Sequence, residues 1–162
     1  MSLVDDIHAF LVAQSTAFTV FAGTSGGSLA KQIMLDNTIA PDTLAVLYET
    51  PGGPNTYTFS TTTGTASVDT ENPSLQLLSR AVLYSDARTQ AEMAYTILDG
   101  LAGRNLPTAT GPRYVEITAD QAPFFVNRDE NDRNIVSVNF SVRKAISPNL
   151  IAFSLGFDEG FL

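Results

Sequence analysis

The chain has 162 residues, of which 44% are hydrophobic, and its length and apolar content suit a single folded core. Its formal net charge is −8, from 9 Lys plus Arg against 17 Asp plus Glu, which opposes binding to a phosphate backbone and disfavours sequence-specific nucleic-acid recognition. Cysteine is absent, which excludes disulfides, thiolate metal sites and a cysteine nucleophile.

The first predicted element is an amphipathic helix. One helical stripe carries Leu3, Val4, Ile7, Phe10 and Leu11. Ser2 precedes it, and Asp5 takes the place of a capping-box acid. His8, the single histidine, lies beside the stripe and is interpreted as a surface or half-buried ring. Asp5 and Asp6 stand where a secretory signal carries cations, and no apolar run is long enough for a bilayer, so we expect neither export nor a membrane span.

The next segment alternates between strand and loop signals. Residues 17–22 are rich in Phe, Thr and Val and predict a strand, and the glycines and hydroxyls of residues 23–28 favour a loop. Residues 29–35 fit either a short helix or an extended edge. Pro41 then interrupts regular structure, and a short apolar strand is predicted over residues 44–48.

An exposed arm is predicted over residues 51–72. The run Thr50, Pro51, Gly52, Gly53, Pro54 and Asn55 is a strong turn signal, at which the chain should reverse or detour. Residues 57–65 hold aromatic and β-branched side chains but few large apolar ones, which is typical of an exposed hairpin arm or extended loop. Residues 69–72 are interpreted as a polar hinge.

Residues 73–103 predict a strand that leads directly into the central helix. The helix has an apolar face made of Ala87, Ala91, Ala94, Ile97, Leu98 and Leu101. Ser85 or Asp86 is expected to cap its start, and Gly103 to end it. Arg80 lies in the middle of the strand, where a charge is costly unless paired. It is interpreted either as an arginine on the wet face or as a partner in an ion pair between subunits.

The last third of the chain predicts an antiparallel pair. Residues 114–118 read as one strand, and residues 135–143 alternate so strictly that one face should be wet. A charged turn over residues 127–134 separates them. Phe124, Phe125 and Val126, like the phenylalanines after residue 150, are interpreted as core, or less readily as an apolar patch that a neighbouring subunit buries.

Together these elements predict an α+β fold, with a mixed, largely antiparallel sheet of about four to six strands packed by an N-terminal and a central helix. Residues 1–149 are taken as one domain and residues 150–162 as a C-terminal extension. We find no tandem repeat.

No catalytic, cofactor or metal site is expected. Lys31 follows Gly27 too closely for a phosphate-binding loop, and the Asp129 to Asn134 segment lacks the glycine and glutamate of a calcium loop. A serine triad is disfavoured because the only histidine lies on the first helix and no nucleophile elbow is present. Adjacent carboxylates such as Asp5 and Asp6 point apart in a helix or strand, which argues against paired acid and base roles.

Three stretches resemble the phage tail terminator (minor capsid) family of long-tailed phages. The first is the N-terminal helix at residues 4–12 followed by short strands, the apolar strand 44–48 and the Gly52-Gly53 turn. The second is residues 72–81, Asn-Pro-Ser-Leu-Gln-Leu-Leu-Ser-Arg-Ala, with the alanine-rich helix behind it. The third is the polar segment 123–133 followed by Val-Ser-Val-Asn-Phe at 136–140. The order and spacing of the three carry the resemblance.

The resemblance implies a virion protein, assembled in the host cytoplasm, whose copies close into a ring, usually a hexamer. The ring would cap the tail tube, stop its polymerisation and meet the head connector, while DNA passes through an acidic lumen. Another neck or tail ring protein, such as a head-completion protein or tail tube subunit, is the alternative, and a small hydrolase is a more distant one. Candidate subunit or partner contacts are Pro51, Gly52, Gly53, Pro54, Tyr57, Phe59, Arg80, Arg128, Asp129, Arg133, Phe157 and Phe161.

Overall fold

The computed structural model describes residues 2–20, 27–32, 41–59 and 66–146, which form two helices and seven strands. The helices are α1 (Leu3–Gln14) and α2 (Tyr84–Leu98). The strands are β1 (Leu29–Lys31), β2 (Leu44–Phe59), β3 (Ala66–Ala81), β4 (Leu101–Asn105), β5 (Arg113–Ala119), β6 (Phe124–Arg128) and β7 (Asn134–Ala145).

The strands form one sheet in the order β1-β2-β3-β7-β5-β4, and β6 pairs with β7 beside this path. β1 runs parallel to β2, and the other pairings are antiparallel. Two strands share one edge of β7, because β6 pairs with its first half and β5 with its second half. The predicted α+β class is confirmed, with seven strands in the described sheet.

Both helices pack on one face of the sheet and form the main core with it. Its members include Val4, Ile7 and Leu11 of α1, Ala87, Ala91, Ala94 and Leu98 of α2, and Leu47, Leu77, Val138 and Phe140 of the sheet. The predicted apolar stripe of α1 is buried, and that of α2 is buried except for Ile97 and Leu101, which are half-buried. The alanines of α2 let its backbone lie close to the sheet. A smaller cluster of Ala30, Leu44 and Val46 lies on the opposite face of β1 and β2.

The predicted start of α1 is confirmed. The Ser2 hydroxyl accepts a hydrogen bond from the backbone N–H of Asp5, and the Asp5 carboxylate accepts one from the backbone N–H of Ser2, each at 3.2 Å. His8 is more deeply placed than predicted: the residue is 7% exposed, and Nε2 lies 3.3 Å from the Leu29 carbonyl oxygen. Burial lowers the pKa of His8. Neither helix in the described part of the chain is long and apolar enough to cross a membrane.

The predictions for residues 17–35 need correction. Of the strand expected at 17–22, only Val20 pairs, in an isolated parallel bridge with Leu29; residues 21 and 22 lie outside the described residues. Residues 29–31 adopt the extended alternative, as β1. The loop predicted at 23–28 and the rest of 29–35 fall largely outside the described residues.

The chain does not reverse at residues 50–55, and residues 69–72 are not a hinge. β2 and β3 instead form one long antiparallel ribbon through both segments. The register of this ribbon shifts between Thr50 and Gly53, and again between Gly53 and Thr56. Proline has no backbone N–H to donate to a neighbouring strand, and a bulged residue makes no such hydrogen bond, so a β-bulge tolerates proline. Pro51 and Pro54 therefore bend the strand without ending it.

The central helix is shorter than predicted at its C-terminal end. α2 ends at Leu98, and Gly100, with φ of +75°, makes the turn into β4. Gly103 does have positive φ, but it lies within β4, as does Leu101. The expected cap is also wrong: the N-cap residue is Leu83, whose side chain makes no capping hydrogen bond.

Strand β7 pairs with β5 as predicted, but the charged turn joins β7 to β6 rather than to β5. The alternation of β7 marks a wet face only in its second half, where Ser141 and Arg143 are exposed. In the first half both faces are buried, since Ser137 has no exposed surface. Gln76 of β3 donates a hydrogen bond to the Ser137 hydroxyl at 3.2 Å, which satisfies that group away from water.

Candidate assembly surfaces

The arm expected at residues 51–72 is the outer part of the β2–β3 ribbon. Its side chains from Pro51 to Tyr57 are all exposed, and Tyr57 is 56% exposed. The Asn72 amide holds the bulge together by donating to the Pro54 carbonyl and, at 3.2 Å, to the Thr56 hydroxyl. The arm is therefore an exposed ribbon with a defined bulge at its base.

The bulge requires glycine at position 52 because there is no space for a side chain there. A Cβ atom placed on Gly52 would lie 1.9 Å from the Asn72 carbonyl oxygen, whereas one on Gly53 would come no closer than 4.0 Å to the Asn72 side chain. The two adjacent glycines thus differ in role. Phe59, the remaining predicted contact on the arm, is the last residue of β2.

Arg80 does not emerge on a wet face. Its side chain has no exposed surface in the isolated chain, and Nη2 donates a hydrogen bond to the Pro41 carbonyl at 2.7 Å. Arg80 is directly opposite Leu44 and Ile135 in the ladder, so it points away from the helices into the second side of the sheet. The wet-face interpretation is wrong because the Arg80 side chain is buried and donates to the Pro41 carbonyl.

The charged turn between β6 and β7 brings three predicted contact residues together. Arg133 Nε donates to Asp129 Oδ2 at 2.7 Å, and both side chains are largely buried. Arg128, more than half exposed, pairs with Asp132 at 2.9 Å on the outside of the turn. Asp132 has φ of +57°, which a short polar side chain tolerates. The turn is accordingly a closed, rigid unit.

The carboxylate of Asp129 organises this turn. Its Oδ1 accepts hydrogen bonds from the backbone N–H of Asn131 at 3.0 Å and of Arg133 at 2.9 Å. Burial by itself raises the pKa of Asp129, but these bonds and the Arg133 guanidinium outweigh it, so the pKa lies below its ordinary value. Arg133 Nη1 also reaches Asp42 at 3.3 Å. Arg133 and Arg80 therefore fasten the same short segment, Pro41 and Asp42, to the sheet.

Phe124, Phe125 and Val126, which were interpreted mainly as core, are instead exposed. We call the exposed apolar residues at β6 and at the turn into α2 the β6 patch; they lie on both sides of the sheet, have exposed fractions from 40% to 60%, and are Val82, Leu83, Tyr84, Phe124, Phe125 and Val126. Tyr84 and Phe125 hold the patch together, with ring centroids 6.1 Å apart at 69°. The Asn134 amide donates to the Val82 carbonyl at 2.7 Å and joins the start of α2 to the β6–β7 hairpin. An aromatic pair on an edge strand was the sequence signal for it.

A buried polar cluster ties α1 to the far end of the sheet. The Tyr114 hydroxyl donates to Asp6 Oδ2 at 2.7 Å, and Lys144 Nζ lies 3.6 Å from the same oxygen. Asp6 is completely buried, so the two partners compensate the loss of water around its charge. Burial, followed by the Asp6 carboxylate, raises the pKa of Tyr114. Sequence reasoning did not find this cluster because its members are far apart along the chain.

No set of three His, Asp or Glu side chains within residues 2–20, 27–32, 41–59 and 66–146 is placed to hold a metal ion. Two predicted contact residues, Phe157 and Phe161, lie outside the described residues. The candidate surfaces of the described residues are the arm, the charged turn and the β6 patch.

Comparison with known proteins shows a family and a likeness to solved structures. The family described as "Bacteriophage tail terminator protein" matches residues 31–146, a range that runs from the end of β1 past the end of β7. No curated protein matches the chain. A chain of the solved structure titled "Virion of native gene transfer agent (GTA) particle" superposes with a TM-score of 0.49 and 16% identity, over 90% of this chain and 100% of that one.

Proposed function

The chain belongs to the bacteriophage tail terminator family, and from this membership we propose that its copies close into a ring, a hexamer, on the end of the tail tube. The family makes the protein a structural component of the virion in the tail or neck region. In that place the ring stops polymerisation of the tube protein and offers its other side to the head-completion or connector protein. The family match carries this proposal.

The surfaces of the chain suit a ring. A cyclic ring of more than two copies needs two different surfaces on each subunit, one for each neighbour. The exposed arm and the β6 patch are two such surfaces, because one is the outer half of the β2–β3 ribbon and the other lies where β3 runs into α2. The buried Arg80 and the closed turn at Asp129 keep the body between them rigid.

The net charge suits passage of DNA through the ring. With 17 acidic against 9 basic residues, the assembled ring carries a large negative charge and gains little from counterion release on a phosphate backbone. Two of the nine cations, Arg80 and Arg133, are buried in their own subunit. We therefore propose that the lumen contacts DNA weakly and without sequence preference.

Two measurements test the proposal. Light scattering on the purified chain should give the mass of a ring, about 104 kDa for six copies of 17.3 kDa. Added to polymerising tail tube protein, the ring should shorten the tubes and be found at one end by electron microscopy. A ring that leaves tube length unchanged but binds the head connector would indicate another neck protein. A species that remains monomeric at every concentration would overturn the ring.

A further inference from the structure

Strand β6 is unusual for the edge of a sheet. All five of its residues are exposed, and in the part of the chain that the structure describes it pairs only with β7. Its first three residues, Phe124, Phe125 and Val126, carry no charge and no proline, the devices that commonly protect an edge strand from pairing. Such an edge is suited to receive another strand.

The two faces of β6 differ in what they offer to an added strand. Phe125 is opposite Val136, a core residue beneath the helices, so Phe125 lies on the helix side with Tyr84. Phe124 is opposite Ser137 and lies on the other side of the sheet. On the helix side, Tyr84 and Phe125 form an exposed aromatic pair at the free edge, and Leu83 is exposed beside Tyr84 in the sequence. A new strand would extend the core there if its large apolar side chains all faced the helix side.

One segment of the sequence has this pattern. Residues 151–157 read Ile-Ala-Phe-Ser-Leu-Gly-Phe, so Ile151, Phe153, Leu155 and Phe157 alternate with small residues. In a strand, alternate side chains share a face, so one face is large and apolar and the other is small. The large apolar face of such a strand matches the exposed aromatic pair Tyr84 and Phe125 on the helix side of β6.

The reach of the chain favours a neighbouring copy as the source of this segment. Phe125 is opposite Val136, which is nine positions before Ala145 along β7, or about 30 Å at ~3.4 Å per residue. The five steps from Ile146 to Ile151 span at most about 18 Å. Ile151 therefore falls short of Phe125 on its own subunit, and although Leu155, ten steps after Ala145 or about 34 Å, would just reach it, the whole of residues 151–157 can lie along β6 only in a neighbouring copy. The second half of the edge of β7 is also already occupied by β5.

We propose that residues 151–157 of one copy add as a strand to the free edge of β6 of a neighbouring copy, with their large apolar side chains against Leu83, Tyr84 and Phe125. The proposal rests on the proposed ring and names one of its subunit interfaces. It gives the predicted C-terminal extension a function, which is to link each subunit to the next through backbone hydrogen bonds.

Cysteine cross-linking tests this interface directly, because the natural chain has no cysteine. Phe125→Cys in one full-length preparation is mixed with a tagged preparation carrying Phe153→Cys or Leu155→Cys, and then oxidised. We expect a disulfide-linked mixed dimer from one or both pairs, since a disulfide forms only when the two Cα atoms lie within about 7 Å. Ser154→Cys is the matched control: it faces the other side and should cross-link to Phe124→Cys and much less to Phe125→Cys.

The possible outcomes distinguish failure of the proposed strand addition from failure of the proposed ring. A ring by light scattering with no mixed dimer from any pair overturns the strand addition and leaves the ring intact. Cross-links that form only within one chain, when both cysteines are on the same copy, overturn the neighbouring copy as the source. A Phe153→Ser, Phe157→Ser double variant should keep the circular dichroism spectrum and lose the ring, whereas Ala152→Ser should keep both. Retention of the ring by the double variant would also contradict the interface.

Discussion

At the scale of single residues, Asp6 is a fully buried carboxylate that needs partners in the core. Its carboxylate lies in the core, where it accepts a hydrogen bond from the Tyr114 hydroxyl and lies near the Lys144 ammonium group. A buried charge that loses a partner keeps its desolvation cost and has less to offset it. The stability of the contact between α1 and the sheet should therefore depend strongly on the Tyr114 hydroxyl.

We expect Tyr114→Phe to lower the free energy of unfolding by about 1–3 kcal/mol near neutral pH, because it leaves a buried acceptor without its donor. Chemical denaturation with an unchanged slope is the measurement. Tyr57→Phe, which removes a hydroxyl from an exposed side chain, is the control and should change little. Equal stability of the two variants would show that the Asp6 bond contributes nothing net.

The same tyrosine predicts a pH dependence in the alkaline range. The pKa of Tyr114 is raised in the folded protein, so the folded state holds the phenol proton more tightly than the unfolded state does. This stabilisation is complete below the unfolded pKa of about 10 and is lost as the pH rises above it. From about pH 9 to about pH 11 the unfolding free energy of the natural protein should fall more steeply than that of Tyr114→Phe. Parallel curves would contradict the assignment.

The adjacent glycines at the base of the arm give a matched pair. Gly52→Ala places a Cβ against the Asn72 carbonyl and should cost about 1–3 kcal/mol, or shift the bulge, while Gly53→Ala has room. Thermal unfolding compares them, and amide hydrogen exchange at Thr56 and Asn72 reports on the bulge itself. If the two variants lose equal stability, the close approach at Gly52 is not what the fold requires.

At the scale of elements, the start of α2 lacks a side-chain capping hydrogen bond. Leu83 has the extended backbone of an N-cap residue, at φ of −92° and ψ of 135°, but its side chain makes no capping hydrogen bond and is 60% exposed. Serine fits this geometry, and Asp86 already stands at the acid position of a capping box. The leucine therefore has a role other than the stability of its own helix.

Leu83→Ser should raise the free energy of unfolding of the isolated subunit by about 1 kcal/mol, because a capping hydrogen bond is gained and little burial is lost. The same substitution should weaken subunit association, since Leu83 belongs to the β6 patch. Denaturation at low concentration measures the first effect, and light scattering across a dilution series measures the second. A variant that is less stable, or equally well assembled, would contradict this division.

At the scale of the whole molecule, charge and assembly make a joint prediction. The proposed ring is expected to leave double-stranded DNA unretarded in a gel-shift assay at about 50 mM salt, because the chain has 9 basic against 17 acidic residues. A variant that converts several exposed acids to lysine serves as the positive control. Retardation by the natural ring, and its loss in higher salt, would show a basic lumen and contradict the proposed weak contact with DNA.

The sequence by itself determined the two helices, the class of the fold, the last strand and the family. Each of these depends on local information: the apolar stripes of α1 and α2, the capping box at Ser2, the alternation of β7 and the order of segments from the arm to Val136. Local spacing sets which face of an element is apolar, so this information can be obtained from the sequence without knowing which elements pack together.

Only the tertiary structure decided which groups are covered. A turn signal at Pro51 to Pro54 became a bulge because β3 continues beside it and pairs around the prolines. Arg80 became buried and Phe125 exposed because burial depends on which strands end up as neighbours, and that is set by pairing over long sequence distances. For the same reason the Asp6–Tyr114–Lys144 cluster and the free edge of β6 exist only once the sheet has formed.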